Sequence, residues 1–355
     1  MLPIRIVKRQ EPLGFGGSFF VIFSALVLSL LLSAILLFLG GTSPVRGMSV
    51  LFQGAFGSRW ALEDSVLKAI PIFLCSLGVA VAFRLKIWNI GAEGQFALGA
   101  IGATWIALSF PAWPKYFLLP AMIFMAMACG GLWGLIPALL RQRLKTNEII
   151  VTLMMNYIAI LLLDYLVYGV WKDPSSFGFP MTPMFSEQAI VGKIGSTSIN
   201  WGLAHCLILG LVIWVFFRFT RIGFEIKASG DNVRAARYAG MPYDRLVILV
   251  MVMSGALAGW AGFLEASATV NRLQPSIMVG YGYTAIVVAW LARLHPASIG
   301  VAAILLAGLR VGVESLQLDL QVPAAFGGII EGLILLTVLA GGLFTHYRFA
   351  WGKKT

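Results

Sequence analysis

Long apolar runs separated by short polar segments dominate the chain. A run of about 20 apolar residues is enough to cross the ~30 Å hydrocarbon core of a bilayer as a helix. Within lipid the backbone must satisfy its own hydrogen bonds, so the runs are predicted to be helices. The pattern predicts ten membrane spans, at about 19–39, 65–83, 88–110, 117–140, 148–170, 202–217, 246–268, 276–292, 297–314 and 323–345.

The composition supports a membrane protein. Hydrophobic residues make up 59% of the 355 residues and charged residues only 12%, about half the charged fraction of a soluble domain. This excludes a soluble globular enzyme. The net charge of +11 would suggest a nucleic-acid partner in a soluble protein. Here the basic residues lie between apolar runs, where they are expected to set the orientation of the chain in the membrane. No nucleic-acid partner is therefore predicted.

If the N-terminus is cytoplasmic and the spans alternate in direction, most Lys and Arg residues fall on the cytoplasmic side of the membrane. The positive-inside rule therefore predicts that both termini are cytoplasmic. We predict an all-α, polytopic membrane protein with one transmembrane domain over residues 1–355. Residues 218–245 are a polar cytoplasmic loop in this topology, and 171–201 lie outside. Two sets of five spans would be inverted relative to each other, as in many transporters, so an inverted repeat is a hypothesis from the span count.

The third span opens with the sequence WNIGAEGQ, which places Glu93 inside an apolar run between two glycines. Ionisable residues at membrane depth are costly and mark functional sites. Paired glycines permit a break in the helix or a close contact with another helix. A broken helix presents free N–H groups and a positive end toward a cavity. Alternatively, Glu93 lies near the cytoplasmic surface, solvated or paired with Lys86. The candidate pathway or gating residues of this segment are Asn89, Gly91, Glu93 and Gln95.

The eighth span, GYGYTAIVVAW at 280–290, is also interrupted by Gly and Tyr. It is third in the second set of five, as 88–110 is in the first. Discontinuous helices at matching positions indicate a transport pathway, which makes Tyr281 and Tyr283 candidates. Tight packing of small residues is the alternative interpretation.

The fifth span begins KTNEIIVTLMMNYIA. Thr146 is expected to cap the helix, with Glu148 near its positive end. Thr152 and Asn156 are four residues apart and share a face, so both are expected to point inward. Asn147 and Asn156 are therefore candidates for the pathway. A hydrogen bond from Asn156 to a neighbouring helix is the other interpretation.

Several further carboxylates lie near or within spans, namely Asp164, Glu265, Glu314 and Glu331. Arg310 and Glu314 are four residues apart and are expected to pair. Glu331 is the carboxylate placed most deeply by sequence. Such groups keep open a proton-coupled secondary transporter that uses Glu93, Asp164 or Glu331 as a relay.

The cytoplasmic loop contains RIGFEIKASGDNVRAARYAGMP at 221–242. Asp231 is expected to be an N-cap, and Gly240 and Pro242 are stop signals, so a helix is predicted over 232–239. Such a short helix is not stable alone and must pack on something. Its small residues share one face and its arginines flank them. It suits either docking into a partner's cleft or resting on anionic lipid headgroups.

No catalytic constellation is present. The P-loop pattern, GxSxG and HExxH are missing from the sequence, so the chain is predicted not to be an enzyme and to hold no cofactor of its own. The three cysteines and three histidines are scattered, and no metal site is predicted from them.

Four motifs in order give a family resemblance: NIGAEGQ (89–95), TNEIIVTLMMNYIA (146–159), ASGDNVRAARYAGM (228–241) and GYGYTAIVVAW (280–290). The chain resembles permease subunits of bacterial ATP-binding cassette (ABC) importers of the branched-chain amino acid/ribose superfamily. Within it, the chain is most similar to the nucleoside and simple-sugar branch that works with basic-membrane-protein lipoproteins. The resemblance covers about residues 60–345.

The resemblance implies that the loop holds a coupling helix that docks on an ATPase. The residues that match its motif are Gly230, Asp231, Asn232, Arg234, Ala235, Ala236, Arg237 and Gly240. It also implies a bacterial inner-membrane location and three partners: a second permease, an ATPase with tandem nucleotide-binding domains that binds ATP and Mg²⁺, and an extracytoplasmic substrate-binding lipoprotein. The permease pair is expected to be a heterodimer, with a homodimer as the alternative. The expected function is half of an alternating-access pathway for nucleosides or simple sugars.

Overall fold

The computed structural model describes residues 4–8 and 15–351, which are almost entirely helical. Each of the ten predicted apolar runs falls on helix for most of its length. The elements are β1 Ile4–Lys8, α1 Phe15–Leu39, α2 Pro44–Phe56, α3 Arg59–Arg84, α4 Ala92–Ser109, α5 Lys115–Leu144, α6 Glu148–Tyr165, α7 Gly202–Phe219, α8 Arg221–Asp231, α9 Val233–Tyr238, α10 Tyr243–Leu264, α11 Tyr281–Leu291, α12 Pro296–Leu320, α13 Ala324–His346 and β2 Tyr347–Trp351.

Short irregular helices extend or join the main ones. A π-helical turn continues α6 over Leu166–Val170, and a second continues α10 over Glu265–Val270. Single 3₁₀ turns lie at Glu187–Ala189 and Pro275–Ile277. The π-helical turns keep both spans helical to the lengths that the sequence predicts.

Six helices in the described part of the chain are long and apolar enough to cross a membrane. They are Arg59–Arg84, Lys115–Leu144, Glu148–Val170, Gly202–Phe219, Tyr243–Val270 and Pro296–Leu320. The chain is therefore a multi-pass helical membrane protein. The full count of ten spans and the inverted repeat stay predictions.

The chain divides into two compact units. The first joins the residues up to Leu62 with those from Gly308 onward. In it, α1 packs along α13 and contacts α2, and β1 pairs antiparallel with β2. Arg9, Lys353 and Lys354, which belong to the predicted positive-inside signal, lie outside the described residues. The prediction of a single transmembrane domain stays a prediction.

An ion pair links two helices of this first unit. Arg310 Nη2 of α12 lies 3.1 Å from Glu331 Oε1 of α13. Pairing reduces the cost of placing either charge within an apolar helix. Arg310 thus has a partner on the next helix, and the pair with Glu314 that the spacing suggests stays a prediction.

The second unit spans Glu63–Ala307 and is built around α4, α5 and α10. These three helices approach one another closely through glycines. A Cβ on Gly99 of α4 would lie 2.2 Å from Gly259 Cα of α10, so neither position has room for a side chain. Small residues permit such backbone contact where lipid supplies no hydrophobic force between helices. As a result α4 is buried along almost all of its length.

The segment 171–201 is ordered by backbone hydrogen bonds to the end of the α10 span. Thr182 N donates to Leu273 O and Phe185 N donates to Asn271 O. At its start, hydrogen bonds from Ser175 hold the pKa of the Asp173 carboxyl below its usual value. The segment is therefore a structured cap on one end of the second unit.

Candidate functional site

Two helices begin at the same buried carboxylate. Glu93 lies in the first turn of α4 and is 2% exposed. Its Oε1 accepts a hydrogen bond from Gly280 N at 2.9 Å, and its Oε2 accepts one from Gly282 N at 2.6 Å. Gly280 is the N-cap of α11, so these donors belong to the helix start, whose N–H groups have no partner within the helix. The carboxylate thus compensates the positive ends of α4 and α11 together.

The starts of α4 and α11 meet at Glu93 in a buried junction, and glycines make this close approach possible. Gly280 has φ +87°, a left-handed conformation that side chains rarely adopt. A Cβ on Gly282 would lie 2.3 Å from Glu93 N and 2.6 Å from Glu93 Cα. The two helix starts are therefore in backbone contact. The interpretation of Glu93 as a solvated surface residue is wrong, and α4 and α11 each begin inside the predicted segments.

A set of side-chain amides fixes the non-helical residues before α4. Asn89 is fully buried, and its Nδ2 donates to Gln95 Oε1 at 2.9 Å and to Ser254 Oγ of α10 at 2.8 Å. Its Oδ1 accepts from Gly91 N at 3.0 Å and from Gln95 Nε2 at 3.2 Å. The donors and acceptors of the Asn89 amide are all used, which removes the cost of burying them.

Helix α6 supplies the other side of this network. Asn156 is fully buried; its Oδ1 accepts from Gly94 N at 2.9 Å, and its Nδ2 donates to Ile90 O at 2.9 Å and to Tyr283 Oη at 3.1 Å. One side chain therefore joins α4, α11 and the segment before α4. Both sequence interpretations of Asn156 placed it inward, and the structure shows it bonded to neighbouring elements.

The remaining candidates occupy different places. Tyr281 is buried, with its ring 5.9 Å from that of Phe96 and its hydroxyl 3.5 Å from Glu265 Oε1. Tyr283 is partly exposed. Asn147 is exposed and is the N-cap of α6, accepting from Ile149 N, so the expected cap Thr146 is wrong. An Asx cap requires extended backbone at the residue just before the helix, and Asn147 has it at φ −75° and ψ 114°.

Sequence reasoning missed Ser254, and the membrane depth predicted for Glu331 stays a prediction. Ser254 lies in an apolar run of α10, where a single small hydroxyl gives little signal. The side chain of Glu331 is 20% exposed, so Glu93 is the more buried carboxylate. The neighbouring residues in sequence do not show how helices from elsewhere in the chain cover a side chain.

The segment predicted as a coupling loop contains two helices. Thr220 caps α8 by accepting from Gly223 N, and Asn232 caps α9 by accepting from Arg234 N and Ala235 N. Asp231 ends α8, so its expected role as the N-cap is wrong. Asn232 takes that role because its backbone is extended, at φ −148° and ψ 101°. The predicted short helix is present at Val233–Tyr238.

One side of this segment is packed and the other is open. A Cβ on Gly230 would lie 2.0 Å from Arg84 O, so α8 contacts the end of α3 through bare backbone. Ala236 is buried, whereas Ala235, Arg234 and Gly240 are exposed. Gly240 follows α9 in the left-handed conformation, at φ +77°. Of the small residues predicted to share one face, Val233 is partly buried and Ala236 is buried, whereas Gly240 is exposed and lies after the helix.

Basic side chains lie on the exposed side of the segment 218–245. Arg237 lies 3.4 Å from Asp244 and 5.3 Å from the ring centre of Tyr243, and it stays largely exposed. Tyr238 is 98% exposed. Partial burial, together with Arg84 and Arg218 nearby, lowers the pKa of Lys227. Exposed Arg and Tyr side chains are the residue types enriched in protein interfaces.

Taken together, the fold is that of a multi-pass helical membrane protein with a buried polar junction and an exposed basic segment. Within the described residues, no three His, Cys, Asp or Glu side chains are grouped so that they could hold a metal ion. The chain belongs to the family described as the branched-chain amino acid transport system/permease component, which matches residues 61–339.

Three relatives illustrate the family. The guanosine ABC transporter permease protein NupP of Bacillus subtilis is 33% identical over 93% of this chain and 94% of its own length. A glucose ABC transporter permease protein of Haloferax volcanii, TsgB13, is 32% identical over 86% of this chain and 83% of its own length. A second guanosine permease protein of B. subtilis, NupQ, is 25% identical over 65% of this chain and 75% of its own length.

Proposed function

We propose that this chain is half of the translocation pathway of an ATP-driven nucleoside importer and works by alternating access. The similarity to a guanosine permease over 93% of the chain carries the proposal. The buried junction at Glu93 supports it, because discontinuous helices mark the pathway in many transporters. Simple sugars are the second candidate substrate class, supported by the similarity to a glucose permease.

The exposed segment at α9 is the proposed coupling element. It presents Arg234, Arg237 and Tyr238 to solvent while Ala236 and Gly230 pack inward. A helix of this length has little rigidity of its own, but here it is fixed by its cap and by the contact of α8 with α3. Movement of a docked ATPase would therefore be transmitted to α3 and α10, which flank the segment.

The chain would require partners to work. We propose a second permease subunit, an ATPase with tandem nucleotide-binding domains that holds ATP and Mg²⁺, and an extracytoplasmic binding lipoprotein. Two different guanosine permease proteins of one organism resemble this chain, which favours a heterodimer. The location would be the bacterial inner membrane with both termini cytoplasmic, as the distribution of Lys and Arg indicates.

The coupling proposal is tested by reversing two charges. The double variant Arg234→Glu, Arg237→Glu leaves the packed side of the segment intact, so folding is expected to be normal. Uptake of radiolabelled guanosine by the complete transporter in proteoliposomes is expected to fall at least about tenfold, the change that 1.4 kcal/mol of coupling produces. ATP hydrolysis and recovery of the ATPase with the purified chain are measured on the same samples.

A matched control is Arg218→Glu with Arg221→Glu. It makes the same charge change on exposed residues of the same stretch, outside α9. The control is expected to retain most uptake. Normal uptake by the Arg234, Arg237 variant would contradict the coupling assignment. Uptake that follows an imposed proton gradient and needs no ATP would instead establish the secondary-transporter alternative, and the buried carboxylates would carry the proton.

A further inference from the structure

Helix α11 is a short element with abrupt ends. Its 11 residues rise only about 16 Å, half of a bilayer core. Left-handed residues bound it on both sides: Gly280 before it at φ +87°, and Arg293 and Leu294 after it at φ +50° and +59°. The chain therefore changes direction sharply at each end of α11, which separates it from the neighbouring elements.

The start of α11 is held by polar contacts, in addition to the packing of the Tyr281 ring against Phe96. Glu93 bonds Gly280 N and Gly282 N, and Asn156 bonds Tyr283. The absence of a Cβ at Gly282 allows its backbone to touch that of Glu93. These hydrogen bonds tie α11 to α4 and α6 at one place, its N-terminus.

The position of Glu93 in α4 lowers the free-energy cost of moving α11 away. The residue lies in the first turn of α4, so the positive end of α4 stabilises the carboxylate whether or not α11 is present. Moving α11 removes two backbone donors of the carboxylate, so in the moved state water or another donor must replace them. Two arrangements of comparable free energy are what a switching element requires.

We propose that α11 is the moving gate of the pathway and that Glu93 is the positioning residue that latches its N-terminus. The proposal rests on the function proposed above and adds which helix moves and which contact breaks. In the structure described here the latch is closed. When it opens, the amides of Gly280 and Gly282 lose their acceptor and become accessible to water.

The test is hydrogen exchange of the unmodified, complete transporter in nanodiscs, followed by mass spectrometry. Exchange of peptides covering 278–286 is compared between the nucleotide-free and the ATP-bound states. We expect at least about tenfold faster exchange in one state, because local opening exposes these amides. Peptides over Gly255–Leu264 of α10 serve as the internal reference and are expected to change little. Equal exchange of 278–286 in both states would overturn the gate.

Two variants test the contact between Glu93 and the start of α11, one by changing the carboxylate and the other by changing the backbone contact. Glu93→Gln keeps the side-chain volume but turns one acceptor into a donor that faces an N–H group. Gly282→Ala keeps the carboxylate but forces the two helix starts apart. Both are expected to show fast exchange at 278–286 in every nucleotide state, with ATP hydrolysis retained and uptake lost. Gly169→Ala is the matched control, because a Cβ there meets no atom within 4 Å.

The conservative variant Glu93→Asp distinguishes positioning from mere packing. It keeps the charge and is expected to restore part of the nucleotide-dependent exchange that Glu93→Gln removes. If Glu93→Gln does not fold, Gly282→Ala and the unmodified protein decide the question. A nucleotide response in Gly282→Ala that equals that of the unmodified protein would overturn the latch. If the unmodified transporter takes up nucleoside while exchange at 278–286 is the same in both nucleotide states, the role of α11 as a gate is rejected and the proposed function stands. If no ATP-driven nucleoside uptake is found, the proposed function itself is rejected.

Discussion

Two asparagines show how differently the buried junction and the exposed segment 218–245 are built. Asn156 joins three elements from a fully buried position, whereas Asn232 caps only its own helix at the surface. Each side chain bonds backbone N–H groups at a helix start. The hydrogen bonds of Asn156 join residues far apart in the chain and hold the tertiary structure together. Those of Asn232 are local. The comparison shows that the same chemistry fixes a buried junction in one place and an exposed helix in the other.

Burial accounts for this difference. In the junction, water cannot replace a lost partner, so each polar group depends on the others. In the exposed segment, water solvates any group that a substitution frees, and surface charges contribute little to folding. The exposed arginines are therefore available to a partner at small cost to stability. The junction, in contrast, can change only by a coordinated movement of helix starts.

The largest effect is expected from Asn156→Leu. The substitution leaves Gly94 N, Ile90 O and Tyr283 Oη without their observed partner, and the free energy of unfolding should fall by about 2–4 kcal/mol. Thermal unfolding of the purified chain in detergent measures the loss. A change no larger than that of Asn147→Ala, an exposed cap on the same helix, would show that the junction is not held by this side chain.

A smaller effect is expected from Asn232→Ala. The change removes the acceptor for Arg234 N and Ala235 N, and loss of an N-cap costs about 1 kcal/mol. Because α9 is short, the loss should appear as faster hydrogen exchange within Val233–Tyr238 and as weaker recovery of the ATPase. Asn232→Asp keeps an acceptor at the same place and should behave like the unmodified chain. Equal exchange in the Ala and Asp variants would reject the capping role.

The smallest effect is expected from Arg221→Gln. Arg221 Nε lies 2.8 Å from Glu225 Oε1 within α8, but the Arg221 side chain is 90% exposed. Helical pairs of this spacing contribute about 0.3–0.5 kcal/mol, which salt screens further. Thermal unfolding at low and at high salt should differ little between the variant and the unmodified chain. A loss comparable to that of Asn156→Leu would contradict the distinction between the two regions.

Much of the architecture could be predicted from residue order alone. The ten apolar runs fall on helices because hydrophobic length is a local property. The breaks before α4 and α11 were also predictable, since glycines beside Glu93 and Tyr281 disfavour a continuous helix. The exact caps were not, because Asp231 and Asn232, or Thr146 and Asn147, are equally suitable in sequence. Backbone conformation at each residue decides between them.

Composition and local backbone preference are enough to predict a helical membrane protein, the starts of α4 and α11, and the exposed basic helix. The contact of Glu93 of α4 with Gly280 and Gly282 at the start of α11 depends on the packed fold. The bonds of Asn156 of α6 to both helix starts likewise depend on it. These contacts join residues far apart in the chain, and they depend on how α4, α6 and α11 pack, which no local pattern records.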